Sequence, residues 1–187
     1  SYLNDLAAVT SAEFKQFKSK EKLAFWINTY NAYTLDLIVE HYPLKSIKDI
    51  GGVFGTSPWK RDIVEVLGKK LSLNNVEHDI IRKEFNEPRI HFAVNCASVG
   101  CPSLLREAFT AEKLEEQLAL SASNFLNNSS KNYFKNGTLY LSKIFDWYGD
   151  DFGQKYGSYK DFVKKHYKIK EDVEVKFLKY DWKLNKY

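Results

Sequence analysis

The chain has 187 residues, of which 44% are hydrophobic and 16% are aromatic, and its formal net charge is +4. This length suits one domain over residues 1–187, and the apolar share is enough for one sizeable core. No stretch is long and apolar enough to span a bilayer, which argues against a transmembrane segment. Acidic residues are interleaved with the basic ones, so we expect no nucleic-acid partner.

The amino-terminal residues lack the charged, apolar and small-residue regions of a signal peptide. The chain begins with Ser1 and contains no methionine, so we expect a processed chain from which an export signal has been removed. Two cysteines are too few for a disulfide framework. They can form one bridge, remain free or join a metal site.

The first third of the sequence predicts helices. Residues 11–18 predict a short helix capped by Thr10 or Ser11, and residues 20–42 predict a longer helix that ends at Pro43. Aromatic and aliphatic residues recur at helical spacing along the longer helix and predict its buried stripe, which consists of Trp26, Tyr30, Tyr33 and Leu37.

The middle of the sequence predicts a loop, two strands and a helix. The glycine-rich residues 50–59 predict a loop, residues 63–66 a strand, and Ser72 the cap of a helix that runs to about residue 85. Large apolar residues occupy every second position over residues 90–95, which predicts a strand with two distinct faces. One face would carry Ile90, Phe92 and Val94, and the other would carry His91, Ala93 and Asn95.

The last part of the sequence predicts further helices from residue 110, over 142–152 and over 158–167. Residues 133–141 predict a hairpin, because Asn136-Gly137 favours the positive φ angles of a tight turn. Alternating residues 173–177 predict a final strand. We therefore predict an α+β fold that is mostly helical and has a small, partly antiparallel sheet.

Both cysteines lie in a short segment that follows the predicted strand. Cys96 is the best candidate nucleophile, because its neighbours Ala97 and Ser98 are small and would let a substrate approach the sulfur. Its thiolate would need a base, a cation or aligned backbone donors at neutral pH. The alternative is a buried cysteine that behaves as a small hydrophobic residue.

Cys101 lies five residues further along and precedes Pro102. A bridge from Cys101 to Cys96 can close this short loop in an oxidising compartment. Such a bridge would block a nucleophilic Cys96 unless the bridge itself is labile.

Two histidines are candidate bases for Cys96. If a strand continued through Cys96, His91 and the thiol would point to opposite faces, which favours His78 over His91. Glu77 would orient the base, although adjacent helical residues point about 100° apart and Glu77 is poorly placed for His78. The alternative for each histidine is a core hydrogen bond.

A zinc site is a third interpretation of the same residues. His78, His91, Cys96 and Cys101 are suitable zinc ligands by type, but their spacing matches no familiar short zinc pattern. We therefore predict no metal and no cofactor.

Four further residues are candidates for substrate binding. Asn28 and Asn31 are amides among aromatic residues, and they would either hold a loop backbone in place or bind a substrate amide. Trp59 follows the glycine-rich loop, where it would form part of a rim that accepts an anionic group. Ser98 lies beside Cys96, where backbone amides would stabilise an oxyanion.

The motifs together resemble the domain-of-unknown-function family five-four-seven. The resemblance spans nearly the whole chain in a distinctive order. It implies little about activity, but it implies export, because many bacterial members of that family are exported. The matching segments are residues 24–32, 71–78, 89–98, 101–102, 141–145, 147–148 and 180–182.

The order of a long aromatic helix before segments with histidine also resembles papain- or transglutaminase-like domains. In those enzymes the nucleophilic cysteine begins the helix, whereas this helix carries Asn28 and Asn31. Thiol chemistry here would therefore need a different arrangement.

Two functions follow from these observations. The first is a thiol-dependent hydrolase or transferase that acts on a peptide-like or small-thiol substrate, with Cys96 as nucleophile and His78 or His91 as base. The second is a non-catalytic module that binds a peptide, a glycan or a protein between the aromatic helix and the glycine-rich loop.

Overall fold

A computed structural model of the chain describes residues 1–51 and 55–186. Helices dominate it, as predicted, and the long aromatic helix is α3. The α-helices are α1 (Tyr2–Ala8), α2 (Ser11–Gln16), α3 (Ser19–Glu40), α4 (Arg82–Glu84), α5 (Leu114–Leu126), α6 (Ile144–Tyr148), α7 (Gly153–Tyr156) and α8 (Tyr159–Tyr167). Of the α-helices other than α3, α5 has 13 residues and the others are shorter.

The strands form two small sheets. In the first, β1 (Asp62–Val66) pairs antiparallel with β2 (Lys69–Ser72). In the second, β3 (Tyr133–Lys135) pairs antiparallel with β4 (Thr138–Leu141), which pairs parallel with β5 (Glu174–Phe177). The predicted α+β class, with more helix than strand and a partly antiparallel sheet, is confirmed.

The predicted hairpin turn is also confirmed. Asn136 and Gly137 have φ angles of 50° and 77°, the left-handed values that a two-residue turn requires. The predicted helix from residue 110 begins later, at Leu114, and α1 was not predicted. Of the predicted loop over residues 50–59, residues 52–54 lie outside the described part of the chain.

The helix predicted after Ser72 is present but is wider than an α-helix over most of its length. Ser72 and Asn75 cap it reciprocally, with Asn75 N–H 3.1 Å from Ser72 Oγ and Ser72 N–H 3.0 Å from Asn75 Oδ1. A π-helix then spans Asn75–Ile81 and continues into α4. The wider turns are common at functional sites, and this one carries Glu77 and His78.

The strand predicted over residues 90–95 was wrong. Pro88–Phe92 forms a 3₁₀-helix, in which the N–H groups of Ala93 and Val94 both lie 2.9 Å from the carbonyl oxygen of Ile90. Apolar residues alternate here because the segment lies between two hydrophobic cores. Ile90 and Val94 pack into the core around α3, whereas Phe92 packs into the core formed by α5, α6 and α8. His91 is therefore free to point in a third direction.

No helix within residues 1–51 and 55–186 has the length and apolar character needed to cross a membrane.

Candidate active site

A cleft of ≈ 160 Å³ lies where the 3₁₀-helix, the π-helix and the last residues of the chain meet. Five residues predicted as site residues line it, although they come from three separate segments. They are Trp59, Glu77, His78, His91 and Cys96.

The two cysteines form a disulfide in the wall of this cleft. Cys101 is only 2% exposed, whereas Cys96 is partly exposed. The bridge closes the segment of residues 95–102, which we call the cysteine loop. Of the alternatives that the sequence left open, the structure shows the bridged form.

Hydrogen-bond donors surround the buried sulfur of Cys101. The N–H of Cys96 donates to it over 3.0 Å and the hydroxyl of Tyr180 over 3.2 Å. The hydroxyl of Ser98 lies 3.2 Å from Cys96 Sγ and 3.3 Å from Cys101 Sγ, and it donates to Tyr180 over 3.0 Å. The Ser98 hydroxyl proton is used in that bond, so two donors, the Cys96 N–H and the Tyr180 hydroxyl, point at Cys101 Sγ. Sulfur is a weak acceptor when neutral, so two donors at one sulfur suit a sulfur that becomes charged.

Tyr180 is suited to act as a donor. Burial raises the pKa of its phenol to about 12, so the hydroxyl keeps its proton at neutral pH. A side chain at Gly100 would lie 2.7 Å from the Tyr180 ring, so a glycine there permits this close approach.

Backbone pairing attaches the last residues of the chain, 178–186, to the cysteine loop. We call this stretch the C-terminal segment. The N–H of Val99 donates to the carbonyl oxygen of Lys183 over 2.8 Å, and the N–H of Gly100 donates to that of Asp181 over 2.9 Å. In the other direction, the N–H of Asn185 donates to the carbonyl oxygen of Ala97 over 2.9 Å. These bonds fix Tyr180 beside the sulfurs.

Side-chain amides hold the other side of the cysteine loop. Asn31 Nδ2 donates to the Ala93 carbonyl and Asn31 Oδ1 accepts from the Asn95 N–H, each over 2.9 Å. Asn95 Oδ1 in turn accepts from the N–H of Ala97 over 2.6 Å. Ala97 has a φ of 61°, a strained value for alanine, and this bond supports it.

Asn28 holds a different backbone, that of Phe109, through two hydrogen bonds of 2.8 and 2.9 Å. Neither Asn28 nor Asn31 is among the residues that line the cleft. Of the two roles predicted for these amides, their contacts match the fixing of backbone.

His91 is hydrogen-bonded to a carboxylate that was not predicted as a site residue. Its Nε2 lies 2.7 Å from Asp151 Oδ2, and Arg82 contacts both Asp151 oxygens over 2.6 and 2.8 Å. These contacts, against the opposing effect of burial, hold the pKa of Asp151 well below its usual range. An ionised carboxylate can only accept, so Nε2 of His91 carries a proton.

The other nitrogen of His91 is unusual. Burial lowers the pKa of the ring, although Asp151 opposes this effect, so the imidazole is neutral at pH 7. Nδ1 is therefore an unprotonated acceptor, and it is buried without a hydrogen-bond partner in the described part of the chain. Parallel stacking on Tyr148, with ring centroids 4.2 Å apart, fixes the plane of the imidazole.

His78 is engaged differently. Its Nδ1 lies 3.2 Å from an Arg82 nitrogen, and arginine can only donate. In the neutral ring, Nε2 of His78 then carries the proton and is a donor. His91, rather than His78, therefore has an unprotonated ring nitrogen without a partner in the described part of the chain, on a residue that lines the cleft.

Glu77 is 7% exposed and lines the cleft beneath aromatic rings. Its charge contributes, after burial, to raising the pKa of the phenols of Tyr30 and Tyr148. Glu77 therefore faces hydroxyl groups rather than the ring of His78.

No group of three or more His, Cys, Asp or Glu side chains within residues 1–51 and 55–186 is arranged to hold a metal ion. His78, His91, Cys96 and Cys101 do line one cleft, but the two sulfurs are joined to each other.

Sequence reasoning did not identify Arg82, Tyr148, Asp151 or Tyr180 as site residues. Tyr148 and Tyr180 belong to motifs that carried the family resemblance, which was a usable signal. Asp151 gave no such signal in the sequence, because it lies 60 residues from His91 and its neighbour Asp150 is also an aspartate.

A match to a family model shows that the chain is a member of a family rather than merely similar to it. The family described as "Protein of unknown function, DUF547" matches residues 14–126, which is more than half of the chain. The chain belongs to DUF547. Neither the curated proteins nor the solved structures contain a match to this DUF547 chain. The likeness to papain- or transglutaminase-like domains stays a prediction.

Proposed function

We propose that this DUF547 chain is a thiol–disulfide transferase that acts on small thiols or cysteine-containing peptides through the Cys96–Cys101 bridge. One observation carries the proposal. Both cysteines line the cleft, Cys96 is partly exposed, and the sulfur of the buried Cys101 accepts from two donors that would stabilise it as a thiolate.

The first step is attack of a substrate thiolate on Cys96 Sγ. A bond forms between the substrate sulfur and Cys96, the Cys96–Cys101 bond breaks, and the electron pair leaves on Cys101 Sγ. The Cys96 N–H and the Tyr180 hydroxyl then donate to the new thiolate. Hydrogen bonds to a charged acceptor are worth about 1.5–3 kcal/mol each, so they favour departure of Cys101.

The substrate proton goes to Nδ1 of His91. We assign this role to Nδ1 because it is unprotonated and lacks a hydrogen-bond partner in the described part of the chain, and because His91 lines the cleft. Asp151 stabilises the imidazolium that results, through the 2.7 Å contact with Nε2.

A second substrate thiolate completes the transfer. It attacks the substrate sulfur of the mixed disulfide, releases an organic disulfide and leaves Cys96 reduced. The dithiol protein returns to the bridged form by the reverse exchange with another organic disulfide, which is the oxidant of the cycle. Two thiols are oxidised for each disulfide reduced.

Single-cysteine variants test the assignment of the reacting sulfur. Cys101→Ser keeps Cys96, and Cys96→Ser keeps Cys101. With 2-hydroxyethyl disulfide as the probe near pH 7, we expect Cys101→Ser to form a mixed disulfide at least about 100-fold faster than Cys96→Ser, because Cys96 is partly exposed whereas Cys101 is buried. Mass spectrometry of acid-quenched samples measures both rates.

Equal rates, at the value of the urea-unfolded variants, would contradict the proposal. Ligand binding in the cleft that persists in both variants without any exchange would instead favour a non-catalytic module that binds a peptide, a glycan or a protein. Circular dichroism and urea titration of both variants establish that they are folded before the comparison is made.

Hydrolysis by the reduced form is a second candidate function. It is favoured by the free Nδ1 of His91, since a thiol and an imidazole would then line one cleft, with the Asp151 carboxylate hydrogen-bonded to the imidazole. Reduced protein should give a burst of nitrophenol from an activated nitrophenyl ester, and Cys101→Ser should retain it. Absence of a burst in both samples would exclude this candidate.

We place the activity in an extracytoplasmic compartment, since a bridged cysteine pair persists in oxidising surroundings. Thiol labelling of the protein in its own cells, before lysis, should leave Cys96 and Cys101 unlabelled. Labelling of both residues in intact cells would contradict this placement.

A further inference from the structure

We propose that the cleft recognises a protonated amino group, so that the substrate is an aminothiol or a peptide with an amino-terminal cysteine. The inference rests on the proposed thiol exchange for its substrate class, but the recognition of the cation stands on separate contacts.

The charge of the cleft wall is the first argument. Glu77 is the one carboxylate among the lining residues, and no Lys or Arg is among them in the described part of the chain. Arg82 is nearby, but Asp151 engages it through two hydrogen bonds. A carboxylate that is 7% exposed, with no cation beside it in the wall, favours a ligand that supplies the positive charge.

The aromatic surroundings of Glu77 are the second argument. Six rings line the same cleft, and they belong to Tyr30, Trp59, Trp147, Tyr148, Tyr180 and Trp182. Aromatic faces attract ammonium groups, and carboxylate-assisted aromatic cages are the usual receptors for them.

The rings meet at angles that suit a cage rather than a flat stack. Trp59 meets Trp182 at 70° with centroids 5.8 Å apart, and Trp147 meets Tyr148 at 82°. Tyr180 lies 4.6 Å from Trp182 at 53°. These angles are those of aromatic packing, and the rings so packed all line the cleft, so they form one aromatic wall around it.

The protein already places cations on two of these rings. Lys48 Nζ lies 3.6 Å from the centre of the Trp182 ring, and the guanidinium carbon of Arg82 lies 5.0 Å from that of Tyr148. Lys48 is exposed, so its charge is largely solvated rather than directed into the cleft.

The location of the cation site relative to the disulfide gives the substrate class. Cys96, Cys101 and Glu77 all line one cleft of ≈ 160 Å³, so a molecule that contacts both a sulfur and the carboxylate is small. A thiol and an ammonium group separated by a short carbon chain meet this requirement.

Tetramethylammonium is the probe for the cation site, because it has no thiol and forms no conventional hydrogen bond. Titration of the oxidised wild-type protein, followed by tryptophan fluorescence, should give saturable binding, whereas the neutral isostere tert-butanol should bind at least about tenfold more weakly. Glu77→Gln should weaken tetramethylammonium binding at least about tenfold. The matched control Glu84→Gln, at an exposed residue just beyond the π-helix, should leave it unchanged.

Exchange kinetics supply the second measurement. The KM of cysteamine should be at least about tenfold below that of 2-mercaptoethanol in the wild type, and Glu77→Gln should abolish the difference. Equal binding of tetramethylammonium and tert-butanol to the wild type would overturn the cation site even if Glu77→Gln did not fold. Cation binding without exchange would support the cation site and refute the transferase. Exchange without discrimination between cysteamine and 2-mercaptoethanol would support the transferase and refute the cation site.

Discussion

The cysteine loop and the C-terminal segment form neighbouring walls of one cleft, but they are held in different ways. The cysteine loop lies inside the range matched by DUF547, and side-chain amides of Asn31 and Asn95 fix its backbone. The C-terminal segment lies outside that range and is attached to the loop through backbone pairing. The loop supplies the sulfurs, whereas the segment supplies Tyr180, a donor that acts on them.

The difference separates two properties of the site. We expect the position of the disulfide to depend mainly on residues within the matched range, and its proposed reactivity to depend also on residues that come later in the chain, including Asp151 and Tyr180. A domain with the same cysteine loop and a different C-terminal part would keep the bridge but would lose the groups that we expect to make it reactive. The following changes test each side of this comparison.

Asp151→Asn should have the largest effect. The neutral amide cannot stabilise a protonated His91, and it does not fix the proton on Nε2 as an ionised carboxylate does. We expect the rate of mixed-disulfide formation with a small thiol to fall about 10²-fold or more, in the range typical of lost acid–base catalysis.

Stopped-flow measurement of single turnovers checks this expectation. Asp150→Asn is the matched control, because its side chain is exposed and it precedes Asp151 directly. Equal rates in the two variants would remove the His91–Asp151 pair from the proposed chemistry.

Asn31→Ala tests how the cysteine loop is held. The change leaves the Ala93 carbonyl and the Asn95 N–H without their partner, and each unsatisfied buried group costs about 1–3 kcal/mol. We expect the free energy of unfolding to fall by about 2–4 kcal/mol and the disulfide to be reduced faster by dithiothreitol.

Asn28→Ala is the matched control for Asn31→Ala. It also removes two hydrogen bonds to backbone, but these hold Phe109 rather than the cysteine loop. In urea titrations, the free energy of unfolding of Asn28→Ala should fall by a similar amount, but its disulfide should be reduced no faster than that of the wild type. Faster reduction in both variants would mean that general loosening, and not the loop, controls access to the sulfurs.

Tyr180→Phe tests the contribution of the C-terminal segment. It removes one donor to Cys101 Sγ while keeping the ring that packs over Gly100. A hydrogen bond to a charged group is worth about 1.5–3 kcal/mol, so the leaving thiolate should form about 10- to 100-fold more slowly. The pKa of the Cys101 thiol in the reduced protein should rise.

Thiolate absorbance near 240 nm during a pH titration measures that pKa, and Tyr2→Phe, at an exposed tyrosine, is the control. An unchanged thiol pKa in Tyr180→Phe would contradict the role of the C-terminal segment as a donor.

Local patterns in the sequence were sufficient for much of the fold. The hairpin at Asn136-Gly137, the aromatic helix and the helix after Ser72 were predictable because their turn residues, periodicity and caps act over a few residues. Residues 90–95 gave a wrong prediction, because Ile90 and Val94 pack into one core and Phe92 packs into the other. Large apolar residues therefore recur at every second position without sharing the face of a strand.

The candidate site was predictable only in part, for a related reason. Cys96, His91 and Glu77 stood out by residue type and by their place in motifs. Their partners did not, because Asp151 and Tyr180 reach the site from sequence separations of 60 and 84 residues. No local pattern encodes such contacts, which depend on how the two cores pack together.

The smallest expected effect concerns acidification. Burial holds the pKa of His91 below its ordinary value, so below about pH 6.5 the unfolded chain binds a proton that the folded chain does not. Stability is therefore lost as the pH falls below that value, by at most about 1.4 kcal/mol per pH unit for one group. The lowered pKa of Asp151 adds a second loss at lower pH, below about pH 4, where the unfolded chain takes up its proton first.

Urea midpoints between pH 7.5 and pH 5 measure the first of these losses. His91→Gln keeps a donor toward Asp151 but cannot titrate, so its midpoint should change less over this range than that of the wild type. Burial also lowers the pKa of His166, so the urea midpoint of His91→Gln should still fall somewhat as the pH falls. Adding His166→Gln should reduce this remaining pH dependence. If His91→Gln retained the full slope, the pKa of His91 would be the same in the folded and the unfolded chain, and burial would not be what keeps this ring neutral.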